Sequence, residues 1–147
     1  MVTRRQFIAT TAAGAASLAL PAYAMRRARR VNDEVRIAII GLNSRGRDHI
    51  SAFSKIPGVR IVALCDADSE VLAREAKRLA ERGVEADTYA DMRRIMDRTD
   101  IDAVSTATPN HWHALVGIWA CQSGKDAYIE KPVSHNVWEG RQLVNAA

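Results

Sequence analysis

The chain has 147 residues, room for one domain, and 48% of them are apolar, enough for a real core. Its formal net charge is +4, but the excess sits at the front, in Arg4, Arg5, Arg26, Arg27, Arg29 and Arg30. The near-neutral remainder argues against a nucleic-acid face, which needs cations spread over a folded surface.

Residues 1–24 read as a signal peptide rather than as part of the fold. Arg4-Arg5-Gln6-Phe7 precedes a mildly apolar stretch, and Ala22-Tyr23-Ala24 is a small-x-small cleavage site. The paired arginines resemble the twin-arginine (Tat) export signal, which carries proteins already folded and loaded with cofactor. The alternative is a Sec signal that happens to hold two arginines, or an uncleaved anchor. The apolar stretch is short and weak for a membrane span, so cleavage after Ala24 is expected, with no stable membrane insertion afterwards and a periplasmic or otherwise exported product. The basic run in 25–34 reads as a solvated linker.

The folded domain is expected over 35–147. An apolar strand, Val35 to Ile40, runs into Gly41-Leu42-Asn43-Ser44-Arg45-Gly46 and then a helix. A second apolar run from Val59 ends at Cys65-Asp66. Strand, glycine turn, helix, strand and acid is the order in which a parallel sheet holds a dinucleotide. Gly41 allows a sharp reversal, and Gly46 allows the helix to lie close on the sheet. The N–H groups at the helix start present partial positive charge to a pyrophosphate. Asp66 lies about twenty residues beyond Gly46, the separation expected of a carboxylate that accepts from the adenosine ribose hydroxyls. Asn43 stands where the pattern has its middle glycine, and Asn is the non-glycine residue that best tolerates positive φ, so the turn can survive. The bland reading is an α/β domain whose turn binds nothing.

Further along, a helix is expected over 69–82 with Ser69 as cap, a short strand over 86–89, and a brief helix capped by Asp91. A strand over 101–108 is stopped by Pro109. A helix over 110–123, a strand over 126–129 ending in Glu130-Lys131-Pro132, and a helix over 137–147 follow. The alternation predicts a Rossmann-type α/β fold, a doubly wound parallel sheet with helices on both faces. Cys65 and Cys121 lack metal or redox spacing and read as small buried thiols. His111 and His113, two apart on a helix, point in different directions with no third ligand nearby, so no metal is expected. His113 is expected to pack near its helix start, beside the cofactor loop. Trp112, Trp119 and Trp138 read as core or interface residues.

Three blocks in order, Gly41 to Gly46, Thr108-Pro109-Asn110-His111-Trp112-His113, and Glu130-Lys131-Pro132, resemble the Gfo/Idh/MocA family of NAD(P)-dependent oxidoreductases. The resemblance covers 35–147 and is to the family's N-terminal nucleotide-binding domain. It implies a cofactor set of Gly41, Asn43, Ser44, Arg45, Gly46, Asp66, Thr108, Pro109, Asn110, His113, Glu130 and Lys131. Asp66 would favour NAD over NADP, since a carboxylate repels a 2′-phosphate. Lys131 would lie near the nicotinamide and act on a sugar-like or polyol substrate. On its own, Lys131 reads more readily as a solvated loop lysine before a turn proline. The family's second α/β domain supplies substrate contacts, a partner histidine and the interface of homo-oligomers. It is lacking here, so the chain is expected to be a fragment or a truncated product. The alternative to a dehydrogenase domain is a non-catalytic nucleotide-binding module or an inactive gene product.

Overall fold

The computed structural model describes residues 34–147; the predicted leader and all but the last residue of the predicted linker lie outside the described residues. The described elements are β1 (Val35–Ile40), α1 (Arg45–Phe53), β2 (Val59–Cys65), α2 (Ser69–Ala80), β3 (Asp87–Tyr89), α3 (Arg93–Met96), β4 (Ala103–Thr106), α4 (Asn110–Gln122), β5 (Asp126–Ile129) and α5 (Val137–Ala146). All five strands are parallel, in the order β3-β2-β1-β4-β5. The chain enters at the centre, winds outward to β3, then crosses to the other side of β1. That reversal opens a crevice at the carboxyl ends of β1 and β4, the place where such sheets bind ligands.

The strand sequences follow from this burial. β1 and β2 are almost continuously apolar because helices cover both faces of the sheet. One face packs Ala38, Ile40, Val62, Ala63, Cys65 and Val104 under Ile95 of α3 and Val116 and Ala120 of α4. The other packs Ile37, Ile39, Ile61 and Leu64 under Ile50 of α1 and Val71 and Leu79 of α2. Ile39 and Leu64 are fully buried, and each contributes about 2 kcal/mol of apolar burial. The pairing of β1 with β2 carries one irregularity. Ile37 faces Ile61, but Ala38 faces Ala63, so Val62 is an extra residue in β2.

Three expectations need correction. The cap of α2 is Asp68, whose side chain accepts from the N–H groups of Glu70 and Val71; Ser69 is the first helical residue. An aspartate one position earlier can reach two free N–H groups, and the serine cannot. β4 ends at Thr106 rather than Thr108. The Ala107 N–H still donates to Ile40 O, but the chain then turns toward Pro109, which is the N-cap of α4. Trp112 and Trp138 are exposed, which removes the core role for both. α5 packs on α4 at Gly117, where an added Cβ would stand 2.6 Å from Ile129 Cδ1 and 2.8 Å from Leu143 Cδ1. No residue of α5 is fully buried. Both cysteines are free thiols, Cys65 buried and Cys121 partly so. Among the described residues no helix is long and apolar enough to cross a membrane.

Candidate functional site

The predicted turn leaves β1 at Gly41, with φ +80°. A Cβ there would stand 2.8 Å from Thr108 N, so the glycine turn and the loop after β4 are in backbone contact. At Gly46 a Cβ would stand 1.9 Å from Gly41 O. Backbone cannot yield by that much, so the turn closes only with glycine at this position. The left-handed non-glycine residue is Ser44, with φ +44°, and not Asn43 as the sequence pattern suggested. Asn43 instead uses its side chain: Oδ1 accepts from the Ser44 N–H at 3.0 Å. Ser44 makes no side-chain cap bond to α1.

Asp66, just past β2, is bound into the same turn. Its Oδ2 accepts from the Leu42 N–H at 2.8 Å and its Oδ1 from the Asp68 N–H at 3.0 Å. Each carboxylate oxygen has two acceptor sites, so both keep capacity for a hydroxyl donor. Cys65 beside it is held far from thiolate. Burial, then the nearby charges of Asp66 and Asp91, push its pKa up to about 12.

The loop after β4 is pinned by His113, which is buried in α4. One ring nitrogen lies 2.8 Å from Thr108 O and the other 2.7 Å from Pro132 O. The same histidine therefore joins the Thr108 loop to the loop after β5. Thr108 Oγ1 also lies 3.0 Å from Thr106 Oγ1. Asn110, the first residue of α4, is exposed.

The loop after β5 carries Glu130 and Lys131, and the Lys131-Pro132 peptide bond is cis. Glu130 Oε1 accepts from Arg45 Nε at 2.7 Å and lies 3.0 Å from His49 Nε2; Oε2 accepts from the Lys131 N–H at 3.2 Å. The His49 bond first, then the Arg45 bond, lowers the Glu130 pKa to about 2, so the carboxylate is ionised throughout the physiological range. The ionised carboxylate accepts from His49 Nε2, and the ring's Nδ1 lies 2.8 Å from the Ser105 hydroxyl. The Lys131 side chain is exposed at the mouth of the crevice.

Every residue of the predicted site thus lies at one end of the sheet, after β1, β2, β4 or β5. Sequence reasoning missed His49 and Ser105. A signal was available for the first: Gly46, His49 and Ile50 share the inward stripe of α1, and a histidine there must find polar partners. Arg47, Arg74 and Arg78, gathered around the buried Glu75, were also missed. Among the described residues no three potential metal-binding side chains come together.

Residues 35–147 match the family described as "Oxidoreductase family, NAD-binding Rossmann fold". The chain belongs to the Gfo/Idh/MocA family. It is 38% identical over 120 residues to glycosyl hydrolase family 109 protein 2 from Shewanella sp. (strain ANA-3), covering 78% of this chain and 26% of that one. Myo-inositol 2-dehydrogenase from Lactobacillus plantarum aligns with TM-score 0.69 and 32% identity, over 78% of this chain and 33% of its own. Levoglucosan dehydrogenase, solved in complex with NADH, aligns with TM-score 0.71 and 29% identity, over 78% and 32%. The chain therefore spans about a quarter of the curated relative and a third of the solved dehydrogenases. As the NAD-binding domain of this family, its glycine cradle, uncapped helix start and acid suit the cofactor's pyrophosphate and ribose. The start of α1, left without a side-chain cap, is the observation behind that fit.

Proposed function

We propose that this chain is the cofactor-binding part of an exported dehydrogenase that acts on a sugar-like or polyol carbon. What carries the reading is the convergence of Gly41, Gly46, Asp66, Thr108 and Lys131 at one end of the sheet. Gly41, Asn43, Ser44, Arg45 and Gly46 hold the pyrophosphate, with the start of α1 behind them. Asp66 accepts from the adenosine ribose. Thr108, Pro109 and Asn110 border the nicotinamide half. The bound nicotinamide supplies the hydride donor or acceptor. When a carbinol carbon loses its hydride, the hydroxyl proton must also leave, and Lys131 is the residue placed to polarise that oxygen or take the proton. Two relatives of this domain, named as inositol and levoglucosan dehydrogenases, support a polyhydroxylated substrate.

A second reading is favoured by the relatives named glycosyl hydrolase family 109 proteins. There the cleavage of a glycoside would be redox-neutral, through transient oxidation of the sugar: a bound nicotinamide would take up a hydride and give it back, Lys131 would serve the same oxygen, and the net reaction would be hydrolysis.

NADH fluorescence titration of the chain tests the cofactor site. Asp66→Ala is expected to weaken NADH by about tenfold, the loss of hydrogen bonds to a charged group, and NADPH much less. Equal losses for both would defeat the ribose assignment. Export is tested by fusing residues 1–30 to a reporter active only after folded translocation. Replacing Arg4 and Arg5 by lysine is expected to abolish the signal, and undiminished export would assign the leader to Sec.

A further inference from the structure

His49, 4% exposed, is a buried titratable group near the crevice that the proposed chemistry does not use. Its ring sits among Phe53 and Tyr128, with centroids 6.3 Å and 5.5 Å away in edge-on packing. An aromatic hydrocarbon would fill that space without the desolvation that a buried imidazole incurs. The ring instead bridges two strand ends far apart in sequence: Ser105 on β4, and Glu130 after β5. Glu130 in turn accepts the backbone N–H of Lys131. Arg45 reaches the same carboxylate, but its side chain is 60% exposed, whereas His49 is 5% exposed and shielded from water. His49 also lies on α1, the helix that starts at the glycine turn.

We infer that His49 is a positioning residue for Lys131: through Glu130 it locks the lysine loop to the helix that carries the pyrophosphate turn. A dinucleotide seated on the turn then meets the Lys131 ammonium in a fixed place. The inference rests on the dinucleotide reading above. It assigns His49 no contact with cofactor or substrate. Its physical content is preorganisation, in which a supporting hydrogen bond holds the group that touches the ligand.

The test reads Lys131 itself. The full chain is treated with a water-soluble acetylating ester, with and without saturating NADH, and acetylation rates are read by peptide mass spectrometry. Lys55 and Lys77, both exposed, serve as internal references. In the wild type, NADH is expected to slow Lys131 acetylation by about tenfold and leave the references unchanged, as for a group held against a bound ligand. In His49→Phe, which keeps the aromatic packing, NADH affinity should stay within about threefold while protection of Lys131 drops below about threefold. His49→Gln, whose amide can donate to Glu130 from nearly the same place, should restore most of the protection. Should His49→Phe lack a cooperative melt, Ser105→Ala replaces it, freeing the ring at its other end, and partial loss of protection is expected. Full protection in His49→Phe, or in Ser105→Ala where that variant stands in, overturns the inference. So does a loss of NADH affinity as large as the loss of protection, or a His49→Gln chain no better than His49→Phe. A wild-type chain that fails to bind NADH overturns the dinucleotide reading instead. Binding without protection of Lys131 overturns only the inference.

Discussion

The two acids that matter most at this site are held in different ways. Asp66 is fixed by two backbone N–H groups, close in space and partly close in sequence. Its position was legible because a strand end and a count of residues are enough to find it. Glu130 is fixed by side chains from α1, 81 and 85 residues earlier. No spacing rule reaches across that distance, which is why Glu130 was expected as a cofactor residue and its partner His49 went unseen. The pairing predicts a pH dependence. Glu130 has its pKa lowered from 4.5 to about 2, first by His49 and then by Arg45. A depressed carboxylate adds stability that is complete above the ordinary value and is lost as pH falls through the folded one. The urea midpoint of the wild type should therefore exceed that of Glu130→Gln by its full margin above pH 4.5. The margin should shrink between there and about pH 2. A constant margin across that range would mean that charge is not what Glu130 contributes.

At the scale of elements, the sequence carried the order of strands and helices because hydrophobic periodicity alternates cleanly along it. The parallel direction of the strands followed from that alternation rather than from any single residue. Element ends were less legible, since they depend on which side chain wins a few competing N–H groups. α2 gives a direct comparison. Asp68→Ala should lower stability by about 1 kcal/mol, the usual loss of an N-cap, while Ser69→Ala should leave it nearly unchanged. Thermal melts of the two variants decide between the two caps, and the reverse order would restore Ser69. The turn after β1 shows the same limit. The need for a left-handed residue was apparent, but Asn43 met the demand by bonding to the Ser44 N–H, and the unusual φ passed to Ser44.

For the molecule as a whole, one surface stands apart. Val137 is 91% exposed, Trp138 70% and Val144 65%, all on α5. Tyr128 on the open edge of β5 is also exposed. Apolar side chains this accessible on one helix are unusual on an isolated domain. They all lie on elements after β4. The chain should associate with itself at high concentration, and Trp138→Glu combined with Val144→Glu should suppress that association with little change in melting temperature, since neither side chain is buried. Light scattering against concentration measures it. Equal scattering from both proteins would show that this helix is not the adhesive surface. Nothing in the sequence alone separated these residues from core positions, because a helix that packs on one neighbour and a helix buried between two have similar apolar content.

The supernumerary Val62 has a consequence for that acid at the strand's end. Side chains alternate along β2, yet Val62 and Ala63 belong to the same core layer, so the alternation resets there. Everything downstream is moved by one step of parity. Without the reset, Asp66 would leave the strand toward the opposite helical layer and could not meet the Leu42 N–H. A natural variant lacking only the extra residue would keep the acid in place, because Ala63 would then follow Ile61 in regular alternation opposite Ala38. A deletion elsewhere in β2 that left the bulge standing would retain every glycine and the acid, present to the eye an intact fingerprint, and still turn the carboxylate the wrong way.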